Sequence, residues 1–134
     1  MKIYIDTAPL IYLIEGQESL SVLVEDQLNR WISSKAILAT STLTLLELLV
    51  MPKKQKNKQL VQKYRALLQD LLSEPLIPIN EAIAELAAEI RAEQQFKTPD
   101  SIQLATALYS GADVFFTNDL RLGKLKDIEI VTVR

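Results

Sequence analysis

The chain opens with the segment KIYIDTAPLIYLIE, residues 2–15, in which a β-branched and aromatic run changes to helical spacing of apolar residues. The run from Lys2 to Ile5 predicts a short strand, and Asp6 and Thr7 supply a helix-capping signal directly after it. A strand that passes straight into a helix is the basic unit of a parallel α/β sheet. We therefore expect an α/β fold in which later segments repeat this unit.

The remaining sequence continues the alternation of strands and helices. Short apolar runs predict strands over residues 36–40, 76–79, 113–117 and 128–131. Helical spacing predicts a second helix that starts at Ser19 or Ser21 and a third that is capped by Ser41, Thr42 or Thr44 and ends near residue 51. Further helices are expected over residues 53–72, 81–96 and 98–111, with Pro52 separating the third helix from the fourth. This pattern predicts one domain over residues 1–134, built as a parallel sheet covered on both faces.

Composition limits the chemistry that this chain can perform. With 134 residues, 49% of them hydrophobic, the sequence is sufficient for one domain with its own core. The absence of cysteine and histidine excludes cysteine nucleophiles, Ser-His-Asp triads, typical structural zinc sites and the commonest general base. Any catalysis must come from carboxylates, hydroxyls, lysines or hard cations bound by carboxylates. Because neither a signal-peptide pattern nor a long apolar stretch is visible, we expect a soluble, cytoplasmic protein without membrane contact.

One segment departs from the overall acidic balance, which is a formal net charge of −2 and an isoelectric point of about 5.2. Residues 53–65, called the basic segment below, contain six basic residues and no acid. These are Lys53, Lys54, Lys56, Lys58, Lys63 and Arg65. Taken alone, such a segment is most often a solvated helix face, and a surface that contacts nucleic-acid phosphates is the alternative.

Four acids stand at predicted strand ends or near helix starts, where parallel α/β proteins bind their ligands. Taken alone, Asp6 and Asp100 suit helix starts, because free backbone amides and the helix dipole favour an acid there. Glu47 completes the capping-box pattern Thr44-x-x-Glu47, and Asp119 suits a turn. The leucines around Glu47 in the sequence favour a functional role, because a carboxylate buried among them needs a partner.

Taken together, four clustered carboxylates repel one another unless cations neutralise them or protons are retained. Mg²⁺ and Mn²⁺ prefer oxygen ligands, so an acidic cluster without histidine suits these ions better than zinc. Such an ion lowers the pKa of bound water and stabilises charge on a phosphoryl group, which replaces the missing histidine base. The sequence therefore predicts metal-dependent hydrolysis of phosphodiester bonds.

The chain resembles the PIN domain family, and within it the VapC toxins of toxin–antitoxin pairs. The resemblance covers essentially the whole chain, and its four motifs are IYIDTAPLIYL (3–13), STLTLLEL (41–48), TPDSIQLATA (98–107) and FFTND (115–119). By resemblance, Asp6, Glu47, Asp100 and Asp119 are the catalytic acids that bind the metal, and Thr117 is the hydroxyl residue that precedes the last acid. Ala8 departs from the family pattern, because many relatives carry a polar residue there, often asparagine.

The resemblance implies a three-layer α/β/α fold with a central parallel sheet of four to five strands. It implies an endoribonuclease that uses Mg²⁺ or Mn²⁺ to cleave RNA, transfer RNA among possible substrates. It also implies a homodimer whose acidic grooves share one RNA path, and a small cognate antitoxin that occludes the groove. In this setting the basic segment becomes a candidate for holding RNA phosphates that the acids repel.

Three alternatives remain at the level of sequence. A receiver domain or an aspartate-nucleophile phosphatase also places acids at strand ends, but such a phosphatase expects a second aspartate where Ala8 stands. A PIN-fold binding module without activity is the second alternative, and the retention of all four acids speaks against it. A housekeeping RNA-processing nuclease is the third, and no residue distinguishes it from a toxin.

Overall fold

The computed structural model describes all residues from Met1 to Arg134 and contains one sheet of four parallel strands. The strands are β1 (Lys2–Ile5), β2 (Ile37–Ala39), β3 (Val114–Thr117) and β4 (Glu129–Thr132). Their order across the sheet is β2-β1-β3-β4, and each neighbouring pair is parallel. The predicted parallel α/β fold is confirmed.

Six α-helices and one short 3₁₀ segment connect the strands. The helices are α1 (Thr7–Glu15), α2 (Glu18–Ser33), α3 (Thr42–Lys54), α4 (Lys58–Leu71), α5 (Glu81–Gln94) and α6 (Thr98–Tyr109). The 3₁₀ segment, Leu120–Lys124, follows β3 and was not predicted from the sequence. None of the helices combines the length and the apolar character that a membrane crossing requires.

The sheet separates two apolar cores, which confirms the three-layer arrangement. Alternate side chains of β1 point to opposite faces, so Ile3 and Ile5 lie in the core with residues of α1, α2, α3 and α4. Tyr4 points the other way, into the core formed with α5 and α6, and its ring stacks on Phe115 at a centroid distance of 5.5 Å. The two central strands, β1 and β3, are thereby packed on both faces. This packing also fixes the position of their carboxyl ends.

The strand predicted over residues 76–79 does not form. Ile77 alone makes a parallel bridge, to Ser41, through bonds of its amide to the Thr40 carbonyl (3.0 Å) and of its carbonyl to the Thr42 amide (3.0 Å). The pairing stops there because α3 begins at Thr42 and takes the potential partner residues out of extended conformation.

Two predicted helix boundaries are also wrong. Pro52 does not separate the third and fourth helices but lies inside the last turns of α3, where it is buried. The break comes later, at Lys56 with φ of 55°, and Asn57 then caps α4 by accepting a 3.0 Å bond from the Leu60 amide. Helix α2 begins at Glu18, ahead of both predicted serine starts, and its N-cap makes no side-chain hydrogen bond.

Candidate active site

A cleft of about 490 Å³ lies at the carboxyl ends of the central strands β1 and β3. Its lining residues are Asp6, Thr7, Ala8, Ile11, Tyr12, Glu47, Asp100, Gln103, Thr117, Asn118, Asp119 and Arg121. The structure thus brings all four predicted acids and the predicted Thr117 into one cleft. The cooperating lysine that an aspartyl-phosphate enzyme needs is not among the lining residues, and Arg121 is the only basic one.

Asp6 follows β1 directly and caps α1. Its Oδ1 accepts a 2.8 Å hydrogen bond from the Thr7 amide, and its Oδ2 accepts a 2.7 Å bond from Thr117 Oγ1. Burial raises the pKa of Asp6 from 3.8 to about 6, and the charges of Glu47 and Asp100 add to the rise, while the two hydrogen bonds oppose it. The capping role is therefore real, and it coexists with a carboxylate whose ionised form is costly in the free protein.

Glu47 lies in the second turn of α3 and lines the cleft. The capping-box explanation is wrong, because Ser41 is the N-cap of α3 and accepts a 3.4 Å bond from the Thr44 amide. Glu47 Oε1 instead accepts a 2.6 Å bond from Thr7 Oγ1 and a 2.9 Å bond from Gln103 Nε2. Both bonds go to Oε1, which leaves Oε2 available to a ligand.

The leucines that flank Glu47 in the sequence do not enclose its carboxylate. Successive residues of a helix point in different directions, so Leu46 is 58% exposed while Leu48 is buried in the core. The expectation of a carboxylate surrounded by leucines is therefore wrong. The partners of Glu47 are polar side chains from other elements of the fold.

Gln103 is a buried polar residue that connects the cleft to the core. Its Nε2 lies 2.9 Å from Glu47 Oε1 and 3.0 Å from Thr44 Oγ1, and its Oε1 accepts a hydrogen bond from the Tyr4 hydroxyl. Tyr4 also shares a 2.8 Å bond with Ser41 Oγ. Burial raises the pKa of Tyr4 to about 12, so its hydroxyl remains protonated at neutral pH. This network fixes the side chain of Glu47.

Sequence reasoning did not identify Gln103 as a functional residue. One signal was present, since Gln103 follows Asp100 by three positions and therefore shares its helix face. A polar residue on the apolar helix α6 was the second signal. The network also provides polar support in a cleft where Ala8 contributes no polar side chain.

Asp100 and Asp119 complete the acidic lining, but their surroundings differ. Burial raises the pKa of Asp100, and the charges of Asp119 and Glu47 contribute to that rise. Hydrogen bonds from Arg121 lower the pKa of Asp119. Thr117, which is fully buried, lies between the two sides of the cleft and accepts a 3.1 Å bond from the Asp119 amide.

The donor chemistry of the cleft fits a hard divalent cation, because its ligand candidates are all oxygen atoms. Burial and the charges of neighbouring acids raise the pKa of Asp6 and Asp100, and a cation would relieve the part that comes from charge repulsion. In the present arrangement, no three acidic side chains are placed to hold one ion together. A shared ion therefore requires some of these side chains to move.

We expect the cost of charging Asp6 to appear in the pH dependence of stability. Between about pH 4 and pH 6, the folded chain retains a proton on Asp6 that the unfolded chain releases, since the folded pKa is raised to about 6. The contribution of Asp6 to the free energy of unfolding should therefore fall as the pH rises through this window. Urea unfolding of the metal-free wild type and of Asp6→Asn, at intervals of half a pH unit, gives the free energy of unfolding of each protein. The difference between the two free energies measures the contribution of Asp6. A constant difference from pH 4 to pH 7 would contradict the raised pKa.

The fold and the cleft define an α/β domain with an acidic site at the carboxyl edge of a parallel sheet. The sequence model of the PIN domain family matches residues 3–128. The chain therefore belongs to the PIN domain family, as the motifs predicted.

Solved structures with the same fold include toxin–antitoxin complexes. A toxin–antitoxin complex from Klebsiella pneumoniae is 27% identical, with a TM-score of 0.77 and 98% of both chains covered. VapBC2 from Rickettsia felis bound to a DNA fragment from its promoter is 18% identical, with a TM-score of 0.79 and 98% of both chains covered. VapBC-1 from nontypeable Haemophilus influenzae is 19% identical, with a TM-score of 0.74, and 99% of this chain and 98% of that chain are covered. Comparison with curated protein sequences gives no match.

Proposed function

We propose that the protein is a metal-dependent endoribonuclease, the toxin of a toxin–antitoxin pair, whose cleft cleaves RNA phosphodiester bonds. Membership of the PIN family favours a nuclease. The observation that carries the proposal is the convergence of Asp6, Glu47, Asp100 and Asp119 on one cleft, where burial and like charge raise the pKa of two of them. Carboxylates in such surroundings favour a bound cation, and phosphodiester hydrolysis uses one directly.

In this proposal the four acids would hold Mg²⁺ or Mn²⁺, and the chemistry that such an ion would supply is a lowered pKa for bound water and stabilisation of charge on the phosphoryl group. The protein's own side chains and backbone orient the carboxylates. Thr117 and the Thr7 amide fix the two oxygens of Asp6. Thr7 Oγ1 and Gln103 fix Glu47 through one oxygen and leave the other available to a ligand. Because these bonds exist before any ligand binds, the carboxylates of Asp6 and Glu47 are already oriented by the protein.

The direct test is incubation of the purified chain with total RNA and with DNA of matched length, in Mg²⁺, in Mn²⁺ and in excess chelator. The proposal predicts RNA fragments in one or both metals, none in chelator, and recovery when metal is added back. A protein that leaves RNA intact in every metal would favour the inert binding module. Cleavage that persists in chelator would contradict the role of the metal.

The basic segment supports RNA as the substrate class. Lys53, Lys54, Lys56 and Lys58 are exposed around the turn between α3 and α4, and none of them forms a salt bridge. Glu47 lies on the same helix as the first two, and Lys54 is roughly 10 Å further along it at 1.5 Å per residue. A strand whose scissile phosphate lies in the cleft can therefore reach these lysines within a few nucleotides.

We expect glutamine at these four lysines to weaken RNA binding and to reduce its salt dependence. The slope of log Kd against log salt should fall by roughly 0.7 for each lost phosphate contact. Fluorescence anisotropy with single-stranded RNA in chelator measures the slope without cleavage. The control variant carries Lys35→Gln and Lys126→Gln, two lysines near the amino edge of the sheet. An unchanged slope in the fourfold variant would exclude this surface from the RNA path.

The toxin assignment predicts protein partners as well as RNA. Leu46, Val50 and Met51 are all at least half exposed on neighbouring positions of α3, an apolar surface that suits a partner protein. We propose a small antitoxin and a second copy of this chain as the partners.

Expression of the chain alone should arrest bacterial growth, and co-expression of a cognate antitoxin should relieve the arrest. Light scattering of the purified chain should give the mass of a dimer.

A further inference from the structure

Arg121 lines the cleft together with the four carboxylates. The acids repel the phosphate that the cleft must accept, and Arg121 is the only basic residue in the lining. In the present arrangement its guanidinium is turned to Asp119. Nε donates to Asp119 Oδ1 at 3.0 Å, and Nη2 donates to Asp119 Oδ2 at 2.5 Å.

This ion pair occupies both carboxylate oxygens of Asp119. The Arg121 amide also donates to Asp119 Oδ1, at 3.0 Å, as part of the cap of the 3₁₀ segment. Asp119 is therefore the one acid of the cleft whose charge is already neutralised by the protein, and its lowered pKa reflects this. Burial and the nearby charge of Asp119 raise the pKa of Asp100, so the two acids still face the same cleft.

Two properties of the Arg121–Asp119 ion pair favour the exchange of Asp119 for a phosphate group. The Arg121 side chain is 69% exposed, and exposed ion pairs are weakened by water and salt. A guanidinium forms the same two-pronged hydrogen bonds with a phosphate as with a carboxylate. Phosphate can thus replace Asp119 as the partner of Arg121 without a change in the geometry of the arginine.

We propose that Arg121 is a substrate-binding residue that holds Asp119 in the free protein and exchanges it for a phosphate group of the RNA. The exchange would free the Asp119 carboxylate to bind a divalent cation when substrate arrives. Metal binding and RNA binding then strengthen each other, because RNA pairs with Arg121 and the metal binds Asp119, and each event separates the same ion pair. This inference rests on the proposed function and adds a residue that the acidic motifs do not include.

The test uses Arg121→Gln and two opposite effects. Without the guanidinium, Asp119 is free, so the affinity for Mn²⁺ in the absence of RNA should rise, by roughly two- to fivefold. In the same variant the KM for an RNA oligonucleotide should rise roughly tenfold or more, because a charge-assisted phosphate contact is lost. At saturating RNA and Mn²⁺, kcat should change much less than KM. Calorimetry gives the Mn²⁺ affinity, and steady-state cleavage gives KM and kcat.

Arg30→Gln is the matched control, because it removes an exposed guanidinium from the end of α2 near the amino edge of the sheet. It should leave both quantities unchanged. Arg121→Lys should retain most of the Mn²⁺ affinity of the wild type but bind RNA less well, since a lysine lacks the two-pronged geometry.

The outcomes separate the inference from the proposed function. Tighter Mn²⁺ binding with a higher KM supports the exchange. Weaker Mn²⁺ binding with a higher KM, or a KM equal to that of the wild type, overturns it while the nuclease assignment stands. A wild-type protein that binds Mn²⁺ and cleaves no RNA removes the proposed function, and the inference with it.

Discussion

Asp6→Asn is expected to abolish metal-dependent RNA cleavage and at the same time to stabilise the metal-free protein at neutral pH. The loss of activity should be on the order of 10³-fold, because metal-assisted charge stabilisation contributes several kcal/mol. The gain in stability follows from the raised pKa of Asp6, since asparagine removes a charge that burial and two neighbouring acids make costly. Its amide oxygen can still accept the bond from the Thr7 amide, so the cap of α1 is kept.

The two effects have opposite signs, which distinguishes a functional carboxylate from a structural one. We expect the melting temperature in chelator at pH 7.5 to rise by roughly 3 °C, the shift that about 1 kcal/mol produces in a domain of this size. Asp26→Asn is the matched control, because Asp26 is an exposed acid of α2 that makes no side-chain hydrogen bond. A variant that loses both activity and stability would reduce Asp6 to a helix cap.

Gln103→Leu is expected to reduce kcat by roughly 10- to 100-fold, the effect of losing a group that positions a metal ligand. Leucine keeps the volume of the side chain but cannot hold Glu47, whose carboxylate is then fixed by Thr7 alone. The Tyr4 hydroxyl also loses its acceptor on α6. Tyr4 keeps Ser41 as a partner and Glu47 keeps Thr7, so the loss of the Gln103 hydrogen bonds should lower the free energy of unfolding by about 1–3 kcal/mol.

The control for Gln103→Leu is Thr106→Val on the same helix. Thr106 is fully buried, and its hydroxyl donates a 2.7 Å bond to the Ile102 carbonyl, so its loss affects stability without touching the cleft. At saturating Mn²⁺, Gln103→Leu should lower kcat and leave KM near the wild-type value, while Thr106→Val should change neither. Equal losses of activity in both variants would show that Gln103 acts through stability alone.

The elements of the fold that depend on residues close to one another in the sequence could be predicted. The strand that ends at Ile5, the cap at Asp6 and the start of α6 at Thr98 all rest on local preferences, and each was found as predicted. The apolar runs also predicted three of the other strands, of which β3 is buried along its whole length while β2 and β4 are partly exposed. The edge segment around Ile77 was different, because its pairing depends on where α3 begins.

The site shows the same division between local and distant causes. The four acids could be predicted because each matches a motif, and Asp6, Asp100 and Asp119 also stand at or near element boundaries. Gln103 and Arg121 could not, because their importance comes from partners on other elements or from the conformation of the 3₁₀ segment. Glu47 was selected on a wrong basis, since its polar partners, and not a shell of leucines, set its surroundings.

The central claim is that the acids of the cleft bind a divalent cation, and calorimetric titration of Mn²⁺ tests it most directly. We predict saturable binding to the wild type and to Asp26→Asn, and a loss of that binding in Asp6→Asn and in Asp100→Asn, each variant being checked for its fold by circular dichroism. Wild-type protein that takes up no Mn²⁺, or folded Asp6→Asn and Asp100→Asn variants that bind it as tightly as the wild type, would contradict the account.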